Sequence, residues 1–112
     1  MRAAIFMAVI LLGGVALADG LKNLQVLPKD STKDQVKQVM KAQAKALGVE
    51  CDYCHDVPDM ASDANPKKKI AREMMKMTIE INGKFIKPTI KDADKHPVTC
   101  NTCHRGAESP AI

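Results

Sequence analysis

The sequence is short of large flat side chains. Its 112 residues include no Trp, one Tyr (Tyr53) and two Phe (Phe6 and Phe85). A domain of this size ordinarily fills its interior with aromatic rings, so this chain needs another filler. Two aromatics in the mature segment also offer no platform for stacked bases, and a formal net charge of +4 is far from the basic excess of a nucleic-acid binder. Strand-like alternation is missing, which argues against a sheet. What is present is ordinary globular balance, with 46% hydrophobic and 27% charged residues, which argues against disorder. The length suits one small domain and excludes two independent cores.

Residues 1–18 read as a secretory signal peptide. Arg2 is the one charge before Asp19, Ala3 to Leu12 is an apolar run, and Ala16-Leu17-Ala18 is a small-x-small cleavage pattern. The uncharged stretch from Ala3 to Ala18 falls short of the roughly 20 residues of a membrane-spanning helix; an uncleaved anchor is the lesser alternative. No Cys follows the cleavage pattern, so a lipid anchor is not indicated. The expected mature domain is 19–112, exported to the periplasm, with no membrane insertion of its own. Loss of Arg2 lowers the formal net charge of +4 to +3.

Export would normally turn four Cys into two disulfides. Their spacing says otherwise. Cys51-Asp52-Tyr53-Cys54-His55 and Cys100-Asn101-Thr102-Cys103-His104 are both C-x-x-C-H. Two residues between the Cys place both sulfurs on one side of a helical turn, within reach of the two vinyl groups of one haem. The adjacent His then presents its imidazole to the iron. Two copies use every Cys in the chain and imply two haem c groups, whose porphyrins would supply the missing flat apolar surface. Short disulfides would leave both His unexplained. A zinc site from two C-x-x-C pairs is chemically sound, but the spacer from Cys54 to Cys100 exceeds that of a zinc ribbon. A thioredoxin-like motif would need a βαβ pattern, which is missing.

The organisation around the motifs predicts an all-α fold with extensive loops, built from two helix–turn–C-x-x-C-H units packed around the haems. The first helix opens at Ser31 or Thr32, where Thr32 and Gln35 form a capping box, and stops at Gly48. Val36, Val39, Met40 and Leu47 share one sector of its wheel, while Lys33, Lys37, Lys41 and Lys45 form a second stripe. The second helix is capped by Asn65 with Pro66 at its first position, carries Ile70, Met74, Met77 and Ile81 on one stripe, and ends at Asn82-Gly83. A loop with Pro88 and Pro97 leads to the second motif.

His55 and His104 are the expected proximal iron ligands, with Cys51, Cys54, Cys100 and Cys103 as covalent attachment points. Only His96 remains, so at most one iron can be bis-His and the other must take Met or stay open. His96 precedes Pro97 and reads as a solvated loop residue, with iron ligation as the alternative. Met40 lies on the apolar sector of the first helix and Met74 on the stripe of the second; core filling is the competing role for each. Met77 shares the stripe with Met74, and the wheel alone does not choose between them. Met75 points away from that stripe and Met60 lies in a loop.

Residues 71–78 (Ala-Arg-Glu-Met-Met-Lys-Met-Thr), Ile81-Asn82, the run Val98 to Gly106, and Cys51 to Asp56 resemble the tetrahaem cytochrome subunit of bacterial photosynthetic reaction centres. The resemblance runs from about Gln35 to Gly106 and covers one two-haem half of that subunit. It implies a distal Met from the helix before each motif: Met40 for the first haem, and Met74 rather than Met77 for the second. The family's distal His has no clear counterpart, its counted position falling near Pro88. The lipid-anchoring Cys of many members is missing too.

The expected function is a non-enzymatic, one-electron carrier between redox proteins such as a reaction centre or a respiratory complex. A haem enzyme or small-ligand sensor with one open iron is the alternative, and a zinc-bound structural module the third. The Lys stripe and Lys67-Lys68-Lys69 read as solvated surface, or as steering towards an acidic partner.

Overall fold

The computed structural model describes residues 21–111; the expected signal peptide and the start of the mature segment at Asp19 lie outside them. Four α-helices follow in order: α1 (Lys33–Leu47), α2 (Lys67–Ile81), a short α3 (Lys87–Thr89) and α4 (Cys100–His104), with no strand among the described residues. This is the expected all-α architecture with extended loops. No helix among the described residues is long and apolar enough to cross a membrane.

Local chemistry sets the first helix. Thr32 Oγ1 accepts from Gln35 N at 3.2 Å while Thr32 N donates to Gln35 Oε1 at 2.9 Å, a closed capping box. At the other end Gly48 adopts φ 67°, and Val49 N returns to Ala44 O at 3.0 Å. The second helix begins one residue later than expected, at Lys67, but Asn65 still caps it: its Oδ1 accepts from Lys67 N at 3.0 Å.

The end of α2 differs from the sequence expectation. Asn82-Gly83 does not stop the helix; a π-helical segment, Asn82–Ile86, continues directly from α2 into α3. The Asn82 side chain is engaged elsewhere, donating to Val98 O and accepting from Val98 N, both at 2.8 Å. This paired amide bond pins the extended segment before α4 to the end of α2.

The described polypeptide builds almost no core of its own. Ala46, 3% exposed, is the only buried apolar side chain described, whereas Ile70, Met74, Met77, Phe85 and Ile90 are all exposed. The one close junction is between α1 and α4. Gly106 N donates to Ala46 O at 2.7 Å, and Gly48 lies so close to the Gly106 carbonyl that a Cβ there would collide with its oxygen.

Gly48→Ala should therefore be destabilising twice over, through about 1–2 kcal/mol of left-handed backbone strain and through displacement of the Gly106 turn. Gly83→Ala, whose Cβ meets nothing within 4 Å, should be neutral or stabilising by about 0.4–1 kcal/mol. Thermal unfolding of the two variants side by side checks the contrast; equal melting temperatures would contradict it.

Candidate haem sites

Each C-x-x-C-H motif sits on a helical turn. Cys51–Tyr53 is a 3₁₀ turn closed by Cys54 N to Cys51 O, and His55 N also donates to Cys51 O at 3.1 Å. The second motif is α4 itself, entered through Thr99 N to Thr102 Oγ1 at 2.9 Å and left through Arg105 and Gly106, both with positive φ. None of the four cysteines is joined to another as a disulfide. No group of three or more His, Cys, Asp or Glu among the described residues converges as a metal cluster.

The two His rings are held alike. His55 Nδ1 lies 2.9 Å from Met60 O and His104 Nδ1 lies 3.0 Å from Ala107 O. A carbonyl oxygen only accepts, so each Nδ1 must carry the proton. The proton's placement leaves each Nε2 with its lone pair free, the tautomer a metal-ligating imidazole needs. Both carbonyls come from the turn just downstream of the motif, so the same local fold that presents the thiols also orients the ring.

The first site is a cavity of about 270 Å³ whose lining includes Val36, Met40, Cys51, Cys54, His55 and Met75. The structure thus brings Met40 and His55 to one cavity, together with both thiols of the first motif. Thiols, imidazole, thioether and apolar walls are the donor set and surroundings of a covalent haem, so the residues present fit the group. Burial pushes the Cys54 thiol up, partly offset by the Lys67 ammonium. Met75, which points away from the Ile70–Met74 stripe as expected, faces this first cavity and is half-buried. Met60 lines the cavity as well.

Met74 and Met77 lie on the other side of α2, 39% and 42% exposed, beside exposed Ile70. The helix therefore has two apolar faces: Ala71 and Met75 towards the first cavity, and Ile70, Met74 and Met77 away from it. α2 also touches α4, which carries Cys100, Cys103 and His104. His96 is exposed in its loop, outside the first cavity.

The lysine cluster corrects a sequence expectation. Lys67 is not simply solvated: its Nζ lies 2.7 Å from the Tyr53 hydroxyl and 4.3 Å from the ring centroid. The Tyr53 hydroxyl in turn donates to Glu108 Oε2 at 3.1 Å, joining the C-terminal tail to the first motif. The hydroxyl contact raises the Lys67 pKa. Lys68 is buried and reaches Asp63, which also accepts from Arg72 and Asn23 at 2.9 and 2.8 Å. Lys67 and Lys69 are both exposed, but Lys67 is engaged by Tyr53, which leaves Lys69 as the solvated lysine expected of all three. The signal for this network was available in the helical register, since Lys68, Arg72 and Met75 fall on one face of a helix starting at Asn65-Pro66. Nothing in the loop 56–65 marked Asp63 as their partner.

The Arg72, Asn23 and Lys68 contacts hold the Asp63 carboxyl far below the usual carboxylate range. A depressed folded-state value adds stability that is fully present above the unfolded value of about 3.9 and is lost as pH falls below it. Asp63→Asn should therefore melt lower than the parent chain at pH 7, with the gap narrowing only in part by pH 3, where the folded carboxyl is still ionised. A gap that stays constant over that range would show that the carboxylate charge is not what Asp63 contributes.

Sequence comparison shows which known proteins the chain is similar to. Residues 8–112 match the family described as photosynthetic reaction centre cytochrome C subunit. Among curated relatives, the photosynthetic reaction center cytochrome c subunit of Roseobacter denitrificans is 37% identical over 105 residues, covering 88% of this chain and 28% of that protein. The Rubrivivax gelatinosus protein of the same name is 30% identical over 75% of this chain and 28% of its own length. Cytochrome c-554 of Chloroflexus aurantiacus is 35% identical over 76% of this chain and 20% of its own length. The chain thus spans between a fifth and just over a quarter of the length of these relatives.

Proposed function

The chain belongs to the photosynthetic reaction centre cytochrome c subunit family, and on that premise we propose that it is a periplasmic dihaem c-type cytochrome that carries electrons one at a time between redox proteins. The observation that carries the reading is the matched pair of C-x-x-C-H turns whose His rings both direct Nδ1–H to a backbone carbonyl.

Cys51 and Cys54 would hold one haem through thioethers, and Cys100 and Cys103 the other. When bound, haem c supplies an iron that exchanges a single electron reversibly. His55 and His104 would donate Nε2 from the proximal side, their rings fixed by the Met60 and Ala107 carbonyls. Met40 would close the distal side at the first site and Met74 at the second; a thioether ligand favours the reduced state and raises the potential relative to a second imidazole. The protein's share of the chemistry is to attach, orient and keep water from the metal, and no residue is assigned a catalytic role. The resemblance to reaction-centre subunits supports a photosynthetic or respiratory complex as partner. Lys33, Lys37, Lys41 and Lys45 line the outside of α1, all exposed and with no carboxylate paired to them among the described residues. Four like charges at this spacing do not help the helix, whereas they would speed encounter with an acidic partner.

Closed distal sites separate a carrier from a haem enzyme or gas sensor. The reduced parent protein should bind carbon monoxide poorly. Met40→Ala should abolish the weak far-red sulfur-to-iron band of one haem and lower that haem's potential, leaving the other unchanged. Met74→Ala should open the second site to carbon monoxide. Met77→Ala should only loosen packing, by less than the about 2–5 kcal/mol of a fully buried Met→Ala. Rapid stoichiometric carbon monoxide binding by the parent protein would instead support an open-site enzyme or sensor, and exchanged behaviour of the Met74 and Met77 variants would reassign the distal ligand.

A further inference from the structure

The carbonyl that orients His55 has a second donor. Met60 O accepts His55 Nδ1–H at 2.9 Å, and Lys68 Nζ donates to the same oxygen at 3.2 Å. A carbonyl oxygen carries two lone pairs, so both bonds are accommodated. Lys68 is the only buried charged side chain among the described residues, at 9% exposed. Its ammonium also donates to Ser62 O at 2.6 Å and meets Asp63 Oδ1 at 3.2 Å. All three ammonium protons are thus committed to the loop 56–65, and none is left over for a ligand in the cavity. The second site is built differently: among the described residues, no lysine or arginine donates to Ala107 O, the partner of His104.

We propose that Lys68 is a positioning residue that raises the reduction potential of the haem at the His55 site, acting through the Met60 carbonyl. The inference rests on the reading of His55 as proximal ligand. An imidazole whose N–H donates to a strong acceptor gains imidazolate character and stabilises the oxidised metal. An ammonium on the same oxygen competes for its electron density and weakens that acceptor. Its positive charge, offset only in part by the one carboxylate it shares with Arg72, also opposes the further positive charge created by oxidation. The two effects act in the same direction, towards the reduced state. No proton moves, because the ammonium and the imidazole N–H remain in place in both redox states while a single electron passes to or from the partner. Two sites with the same motif and the same proximal hydrogen bond are thereby made inequivalent.

The test is a potentiometric titration of the full-length holoprotein followed by visible absorption, with Met40→Ala identifying which wave belongs to the His55 site. Lys68→Met should lower that wave so that the oxidised-to-reduced ratio at a fixed applied potential rises about tenfold, equivalent to 59 mV for one electron, with the other wave unmoved. Lys68→Arg should retain most of the parent potential. Should the Met variant fail to fold, Lys68→Gln keeps a neutral donor to the loop carbonyls and should shift the wave in the same direction. Asn23→Ala, which removes the bonds to Ala61 O and Asp63 Oδ1, both at 2.8 Å, and loosens the same loop while leaving the Lys68 ammonium and the Met60 carbonyl in place, should move the wave far less than Lys68→Met. An unmoved wave in Lys68→Met or Lys68→Gln, or an equal shift in Asn23→Ala, would overturn the assignment. Failure of the underlying reading has a different signature: the parent chain would lack covalent haem at Cys51 and Cys54, whereas an intact haem with an unmoved potential defeats only the role of Lys68.

Discussion

Folding has to offset roughly 1–2 kcal/mol of backbone entropy for every ordered residue, and burial of apolar surface is the main source of that free energy. In this chain Ala46 is the one buried apolar side chain described, so helix-on-helix packing cannot be the source. The apolar sectors of α1 and α2 face a cavity and an open surface rather than each other. The rest of the architecture follows from this constraint. On the proposed reading the helices would wall large flat groups, with the attaching motifs where the walls meet, while loops are anchored by polar bonds instead of by packing.

Helix α2 is the divider of the molecule. One of its faces, with Ala71 and Met75, lines the first cavity, and the other, with Met74 and Met77, turns towards the opposite side. Its N-terminal turn holds the loop 56–65 through Lys68 and Arg72, and its C-terminal end holds the segment before α4 through Asn82. A single helix therefore tensions the approach to both motifs. The Gly48–Gly106 contact closes the arrangement by locking the end of α1 against the exit of α4.

Much of this was legible in the chain itself. The Thr32–Gln35 box, the Gly48 stop and the Asn65 cap are local rules in which neighbouring residues satisfy one another's backbone groups, so sequence alone reveals them. The doubled motif and the scarcity of aromatics point to haem for a chemical reason that does not depend on the fold. Long-range partners were harder to foresee. Asn82 looks like a helix stop because Asn-Gly usually is one, yet its amide is occupied by Val98 sixteen residues on, and the helix runs through a π turn instead. Lys68 looks like one of three solvated lysines because charge runs usually are, yet the loop carbonyls of Met60 and Ser62 draw it inside. Wheel geometry separated Met75 from Met74 and Met77 correctly, while leaving the last two on one face.

The two sites share a motif and a proximal hydrogen bond, and they differ in the cation on the proximal carbonyl and in the enclosure of the distal side. On the proposed reading such inequivalence would let a short chain hold two electron sites at different potentials, and the lysines on the outer face of α1 would give it a means of meeting acidic partners. Everything in this account depends on each C-x-x-C-H turn carrying its own covalent group. Intact mass spectrometry of the exported protein measures that directly. The account predicts a coloured species whose mass is that of the chain from Asp19 plus two haem groups; a colourless protein, or a mass with a single haem, would contradict it.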